Sequence, residues 1–334
     1  MKKFYKIFVA CILAVIISIG IQNVSTVQTD AASVVATIGK KKYSSLQKAI
    51  KAAGNNKTIK LKKNVDLKKG LTINKKKKAI TIDLNGHHLS VGAENSNGKG
   101  VTIKAGTITF KNSKKKGYFS FRSCLISQGA KVICKKAKYY DGTSGSLFEN
   151  RGVLEIKAGI YSPSSLVVDN YNVTKISGGT IKGTLRQTTG TLNISGGTMK
   201  SGKYLMFGVL CIGGGTTNIS GGTILGNSEP AIASGFSTSS GSEVASLNIS
   251  GGVFSANGSP AVSLEYSDVN VQISGGTFRS DQKSLYVFNF CDTVNINITG
   301  GVFRAPVEIN TFDGNIIYRA PARFDKGIKV NKEV

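Results

Sequence analysis

Two kinds of residue in this chain could do chemistry: a large surplus of lysine, and a thin scatter of carboxylates and histidines. Lys and Arg total 44 against 18 Asp and Glu, a formal net charge of +26. The surplus is one-sided. Residues 32–116 hold 21 lysines and only Asp66, Asp83 and Glu94, a net of +18, whereas residues 117–334 hold 20 bases and 14 acids, a net of +6. Runs at Lys75, Lys76, Lys77 and Lys78 and at Lys114, Lys115 and Lys116 would concentrate polyanions near the surface through a salt-sensitive field. A third basic set, Lys182, Lys200, Arg279 and Arg304, recurs one residue after a bulky apolar one and could line a single outward face. The predicted chemistry is electrostatic capture of an acidic polymer. Aromatic residues do not interleave with the basic runs as base-stacking surfaces require, so nucleic acid is not the expected partner.

Acid–base chemistry is harder to assemble. Glycoside hydrolysis needs two facing carboxylates, and a calcium site needs several on one side. Asp141, Glu149, Asp169, Glu229, Glu243, Glu265 and Asp281 stand singly, with only Glu265 and Asp268 near each other. His87 and His88 are the only histidines, and no Cys/His spacing suits a metal. No cofactor is expected and no catalytic residue can be named. Of the cysteines beyond the first 31 residues, Cys211 and Cys291 lie in apolar runs and read as small core residues. Cys124 and Cys134 could pair across neighbouring turns, which spacing alone leaves open.

The elements that must position these groups are set by one phrase. Ile-Ser-Gly-Gly-Thr followed by a large apolar residue returns six times, at 176–181, 194–199, 219–224, 249–254, 273–278 and 298–303, with Val for Thr at 253 and 302 and Thr for Ser at 299. The steps between copies are 18, 25, 30, 24 and 25 residues, a period of stacked repeats. Before each Gly-Gly pair the apolar residues alternate, as Leu192 and Ile194 do around Asn193, which is a strand with one buried face. The alternation then loses phase. The glycines therefore form a corner or bulge where φ is positive and no Cβ fits. Period 3.6 is absent, so helical solenoids are excluded; about 24 residues are too few for a propeller blade. A parallel β-helix remains, about ten coils and roughly 50 Å long at the strand spacing of a sheet. Stacking predicts an inward column of Ile181, Met199, Ile224, Phe254, Phe278 and Phe303, and an outward one of Lys175, Asn193, Asn218, Asn248, Gln272 and Asn297 whose amides bond along the axis. The Asn-x-Ser/Thr pattern at 193, 218, 248 and 297 follows from the repeat itself.

Four segments are expected. Residues 1–31, with Lys2, Lys3 and Lys6 before an apolar run and Thr29 and Ala31 at its end, read as a secretory signal peptide, too short to span a membrane. Residues 32–57 form an N-terminal cap around an amphipathic helix at 43–53 that Gly54 stops. Residues 58–307 are the β-helix, with degenerate copies of the phrase at 103–108 and 156–161; residues 308–334 lose the repeat and close the C-terminal end.

The helix at 43–53, the strands Thr58-Ile-Lys-Leu and Leu71-Thr-Ile, and Ile82-Asp-Leu-Asn-Gly-His resemble the N-terminal region of right-handed parallel β-helix proteins of the pectin lyase-like superfamily, in particular exported surface proteins of Gram-positive bacteria. The Ser-Gly-Gly-Thr coils are similar too, so the resemblance covers nearly all of the chain after residue 31. It implies an all-β, right-handed, single-stranded β-helix, secreted or held at the cell wall. The superfamily includes lyases and hydrolases, but the Gly-His-Gly stretch and paired Asp of its hydrolases have no match beyond Gly86-His-His. The segment 319–323 is similar to the Arg-x-Pro-x-x-Arg of pectate lyases, one residue short and after the last coil. The leading expectation is thus a monomeric, adhesin-like protein that binds acidic polysaccharide or wall polymer without catalysis. A metal-free lyase on a uronic-acid polymer, using a Lys or Tyr base, and a structural spacer are the alternatives.

Overall fold

A computed structural model describes residues 33–92, 100–141, 145–164, 166–202, 207–234, 244–265, 268–289, 294–311 and 314–332; the expected signal peptide lies outside them. The described residues contain 32 strands joined in one sheet system. Apart from the antiparallel pairings of Ala36–Ile38 with Lys41–Tyr43 and Lys57–Leu61, every pairing is parallel and links one coil to the next. The fold is the expected all-β solenoid of about ten turns.

Each coil contributes one segment to each of three ladders. The second ladder carries the phrase's first isoleucine: Ile156, Ile176, Ile194, Ile219, Ile249, Ile273 and Ile298 lie in register, one per coil. The third carries its last residue, in the unbroken inward column Leu89, Phe119, Tyr139, Tyr161, Ile181, Met199, Ile224, Phe254, Phe278, Phe303 and Phe324. Aromatic members of that column stack face to face: Tyr139 on Tyr161 at 4.5 Å, Phe254 on Phe278 at 4.9 Å, Phe278 on Phe303 at 4.6 Å between centroids. The first ladder runs inward through Ile73, Ile103, Ile126, Asn150, Asn170, Gln187 and Ile212. Its three amides are fully buried. They satisfy one another: Asn150 Nδ2 donates to Asn170 Oδ1 at 2.9 Å, and Asn170 Nδ2 to Gln187 Oε1 at 2.7 Å.

The two glycines of the phrase answer two different constraints. The second sits at φ between +91° and +101° in all six copies, where an L side chain is strained. The first lies so close to the preceding coil that a Cβ would fall 2.2–2.8 Å from a backbone carbonyl oxygen. The outward amide column also forms, with Asn218 donating to Asn193 at 3.0 Å, Asn248 to Asn218 at 2.9 Å and Asn297 to Gln272 at 2.8 Å.

Three expectations change. The phrase-like segment 103–108 is not in frame with the others: it turns from the first ladder to the second, whereas 156–161 and the six full copies turn from the second to the third. The helix, α1, is Leu46–Ala52, shorter than 43–53, because Ser45 takes the N-cap and its Oγ accepts from Lys48 N at 3.1 Å. Gly54 has no positive φ; the helix ends instead at Ala53, beside a lysine described below. Finally, 308–334 does more than close the end. Val307–Thr311, Gly314–Tyr318, Arg323–Phe324 and Ile328–Lys332 continue the ladders as further coil, invisible to the phrase because its glycines are gone.

Candidate polyanion-binding surface

The first lysine run interrupts the strand Leu71–Asp83 at the corner between the first and second ladders. Register there jumps from Asn74 opposite Ala105 to Ala79 opposite Thr107, so four lysines stand against the single residue Gly106. They bulge outward, with Lys77 in the left-handed region at φ +56°. Lys75 is the exception and corrects the sequence reading. Its side chain turns in, 9% exposed, and Nζ donates to Lys51 O at 3.0 Å and Ala53 O at 2.9 Å, satisfying carbonyls at the end of α1. Burial, and then the nearby Lys78, hold its pKa below the usual lysine value. Lys76, Lys77 and Lys78 are exposed and line a depression of about 540 Å³ with Asn55, Asn56 and Thr107.

The second run occupies a different corner, between the second and third ladders. Lys114, Lys115 and Lys116 are exposed on a turn that Asn112 and Asp83 hold from beneath. Asn112 Nδ2 donates to Lys116 O at 2.6 Å, its Oδ1 accepts from Gly86 N at 3.0 Å, and Asp83 Oδ1 accepts from Ser113 N at 2.9 Å. On the next coils the same corner carries Lys136 and Lys138, then Ala158 and Ile160; together they enclose a groove of about 430 Å³. The two runs thus point from separate corners.

Lys182, Lys200, Leu225, Ser255 and Arg279 do share one outward column of the third ladder. Arg304, following Phe303 on the next coil, is tied to Asp325 at 3.0 Å. The column is basic at both ends and neutral in the middle.

The acids and His88 are mostly bonded to side chains and backbone of the same or the adjacent coil. Asp169, 5% exposed, accepts from Arg186 Nε at 2.9 Å, Tyr171 OH at 3.0 Å and Thr188 Oγ1 at 2.9 Å. Tyr171 is held above its ordinary pKa by burial and by that carboxylate. Asp141 accepts from the backbone and hydroxyl of Ser164, Glu149 from Arg151, Asp281 from Gly258 N, and Glu265 from Ser263. Arg323 of the segment 319–323 is bonded to Asp325. His88 Nε2 lies 3.0 Å from the Asp66 carboxylate, and its ring stacks on Tyr118 at 5.1 Å and 14°, with Tyr140 edge-on to Tyr118 at 5.6 Å. Among the described residues, no group of three or more His, Cys, Asp or Glu is placed to hold a metal ion.

Cys124, Cys134 and Cys211 are buried, unbridged thiols. Cys134 is pushed up to about 12 by burial, Cys211 likewise to about 12, and Cys124 is raised well above its usual value. Cys211 is buried at 2% exposure, as expected, in register with Arg186 and Ala233 of the first ladder. Cys291 lies outside the described residues.

The surface aromatics were missed because they lie far apart in sequence; only stacking brings His88, Tyr118 and Tyr140 together. The chain matches no known family profile, no curated protein and no solved structure.

Proposed function

We propose that this protein is a non-catalytic binder of acidic glycans that works outside the cell, with its early coils as the binding region. The observation that carries the reading is the outward display of Lys76, Lys77, Lys78, Lys114, Lys115 and Lys116 on bulging corners, in a segment whose described acids are Asp66 and Asp83. Asp83 is buried under its turn and Asp66 carries His88 at its carboxylate, two acids against six displayed lysines. The field attracts a polyanion, and the solenoid supplies a regular surface along which a polymer can lie. The lyase alternative has less support: Tyr171, the tyrosine nearest buried charge, spends its hydroxyl on Asp169. Descent from pectin lyase-like proteins and export through the leader at 1–31 belong to the same proposal.

The test is retention of the purified protein on immobilised polygalacturonate, an anionic wall polymer and neutral dextran, with the ultraviolet absorbance of any unsaturated product followed in parallel. Salt-dependent retention on the acidic matrices alone is the expected result. Product formation would make the protein a lyase, and equal behaviour on dextran would leave it a spacer.

A further inference from the structure

In the phrase, the residue before the last apolar one points outward, and the third ladder carries Thr180, Thr198, Thr223, Val253, Thr277 and Val302 at that position. The same outward column on earlier coils reads Tyr118, Lys138 and Ile160. Neither apolar residue there serves the core: Tyr118 is 37% and Ile160 39% exposed. Both are larger than the Thr or Val of the later coils; Ile160 lines the groove at the second basic corner, and Tyr118 follows directly on its Gly117. Its floor is Gly117, Ala137, Ala158, Gly159 and Ile160, and its rim is Lys114, Lys115, Lys136 and Lys138. At about 430 Å³ it lies within the roughly 300–1,000 Å³ of small-molecule sites. Tyr118 is stacked on His88 and meets Tyr140 edge-on.

An apolar floor inside a ring of lysines matches a ligand with an apolar face and an anionic edge. A pyranose ring bearing a carboxylate has both: its axial C–H groups form a face that packs on aliphatic and aromatic surface, and its carboxylate projects in the ring plane toward ammonium groups. A phosphodiester chain has the charge without the face.

We propose that this groove is a subsite for one uronic-acid residue of an acidic polysaccharide, with Ile160 and Tyr118 taking the sugar face and Lys114, Lys115, Lys136 and Lys138 its carboxylate. The inference rests on the acidic-glycan reading above and specifies where, and by what, the sugar is distinguished from other polyanions.

The experiment measures binding of the full chain to oligogalacturonate and to inorganic polyphosphate, for the wild type, for Ile160→Thr and Tyr118→Thr, and for a variant with all four rim lysines changed to Gln. The threonine substitutions install the residue that four of the six phrase-bearing coils carry, and thermal unfolding confirms that each variant folds. Ile160→Thr and Tyr118→Thr should each weaken oligogalacturonate about tenfold, the scale of lost apolar contact in a pocket, and leave polyphosphate unchanged. The lysine variant should weaken both. Unchanged oligogalacturonate binding in both threonine variants, or parallel loss of the two ligands, overturns the subsite while leaving general polyanion binding intact. Failure of the wild type to bind oligogalacturonate at all overturns the glycan reading and the subsite with it.

Discussion

The coils before residue 162 and those after 172 solve one packing problem with different exteriors. Inside, they are alike: the inward column of the third ladder passes from Tyr139 and Tyr161 to Ile181 and on to Phe278 and Phe303 without a break. Outside, they diverge at the corners. The later coils turn on Gly-Gly pairs pressed against the carbonyls of the coil below, leaving no room for a side chain. The early coils turn on bulges such as 75–78, or on longer excursions such as 112–117, where side chains leave the stack entirely. Stacking constrains what faces in and what touches the next coil; it is indifferent to what bulges out. Charge therefore collected where the corners are loosest.

If the interiors obey one rule, Phe278→Ala and Tyr139→Ala, both fully buried, should each cost about 3–5 kcal/mol, read from urea unfolding midpoints. A large difference between them would break the comparison. The corners should part company. Gly275→Ala would drive its Cβ to 2.3 Å from Ser250 O, backbone against backbone, and should cost about 1–3 kcal/mol; Lys77→Gly, relieving a positive φ, should stabilise by about 1 kcal/mol.

The amide columns sharpen the contrast between inside and outside. Asn170→Ala strands the buried Asn150 and Gln187 and should cost about 1–3 kcal/mol. The same change at half-exposed Asn218 should cost about 0.2–1 kcal/mol.

The smallest effect is a pH dependence. Glu155 is held below its ordinary pKa, first by Lys131 at 2.6 Å and also by Lys157 at 3.2 Å. A depressed carboxylate stabilises fully above its unfolded pKa and loses that contribution as pH falls through the folded one. Glu155→Gln should therefore destabilise by about 0.2–1 kcal/mol at neutral pH. The deficit should vanish as the medium is acidified below about pH 4.3, the unfolded glutamate's value.

Period and glycine placement made the later coils legible in detail, including which side of Asn193 or Phe254 faces in, because each position repeats until its environment is unmistakable. The early coils were legible only as β. The segment 103–108 matched the phrase by composition but turns at another corner, since an Ala-Gly pair suits any tight corner and does not say which. Lys75 read as one of four equal lysines; only the return of α1 over the strand below shows that its ammonium has carbonyls to meet. The groove at Ile160 was hidden for a similar reason. Its walls come from 112–117, 136–138 and 158–160, adjacent only once stacking brings consecutive corners together.

The sealed thiols give the molecule a set of internal clocks. Cys124 and Cys134 lie on the first and second ladders of one early coil and Cys211 on a later coil; all three have almost no contact with solvent and are held above the usual thiol pKa by burial. An alkylating reagent can reach each one only when its coil opens. In a Cys291→Ser background, the order in which Cys124 and Cys134 on the one hand and Cys211 on the other become labelled would record whether the early or the later coils come apart first, under conditions in which the protein as a whole never unfolds.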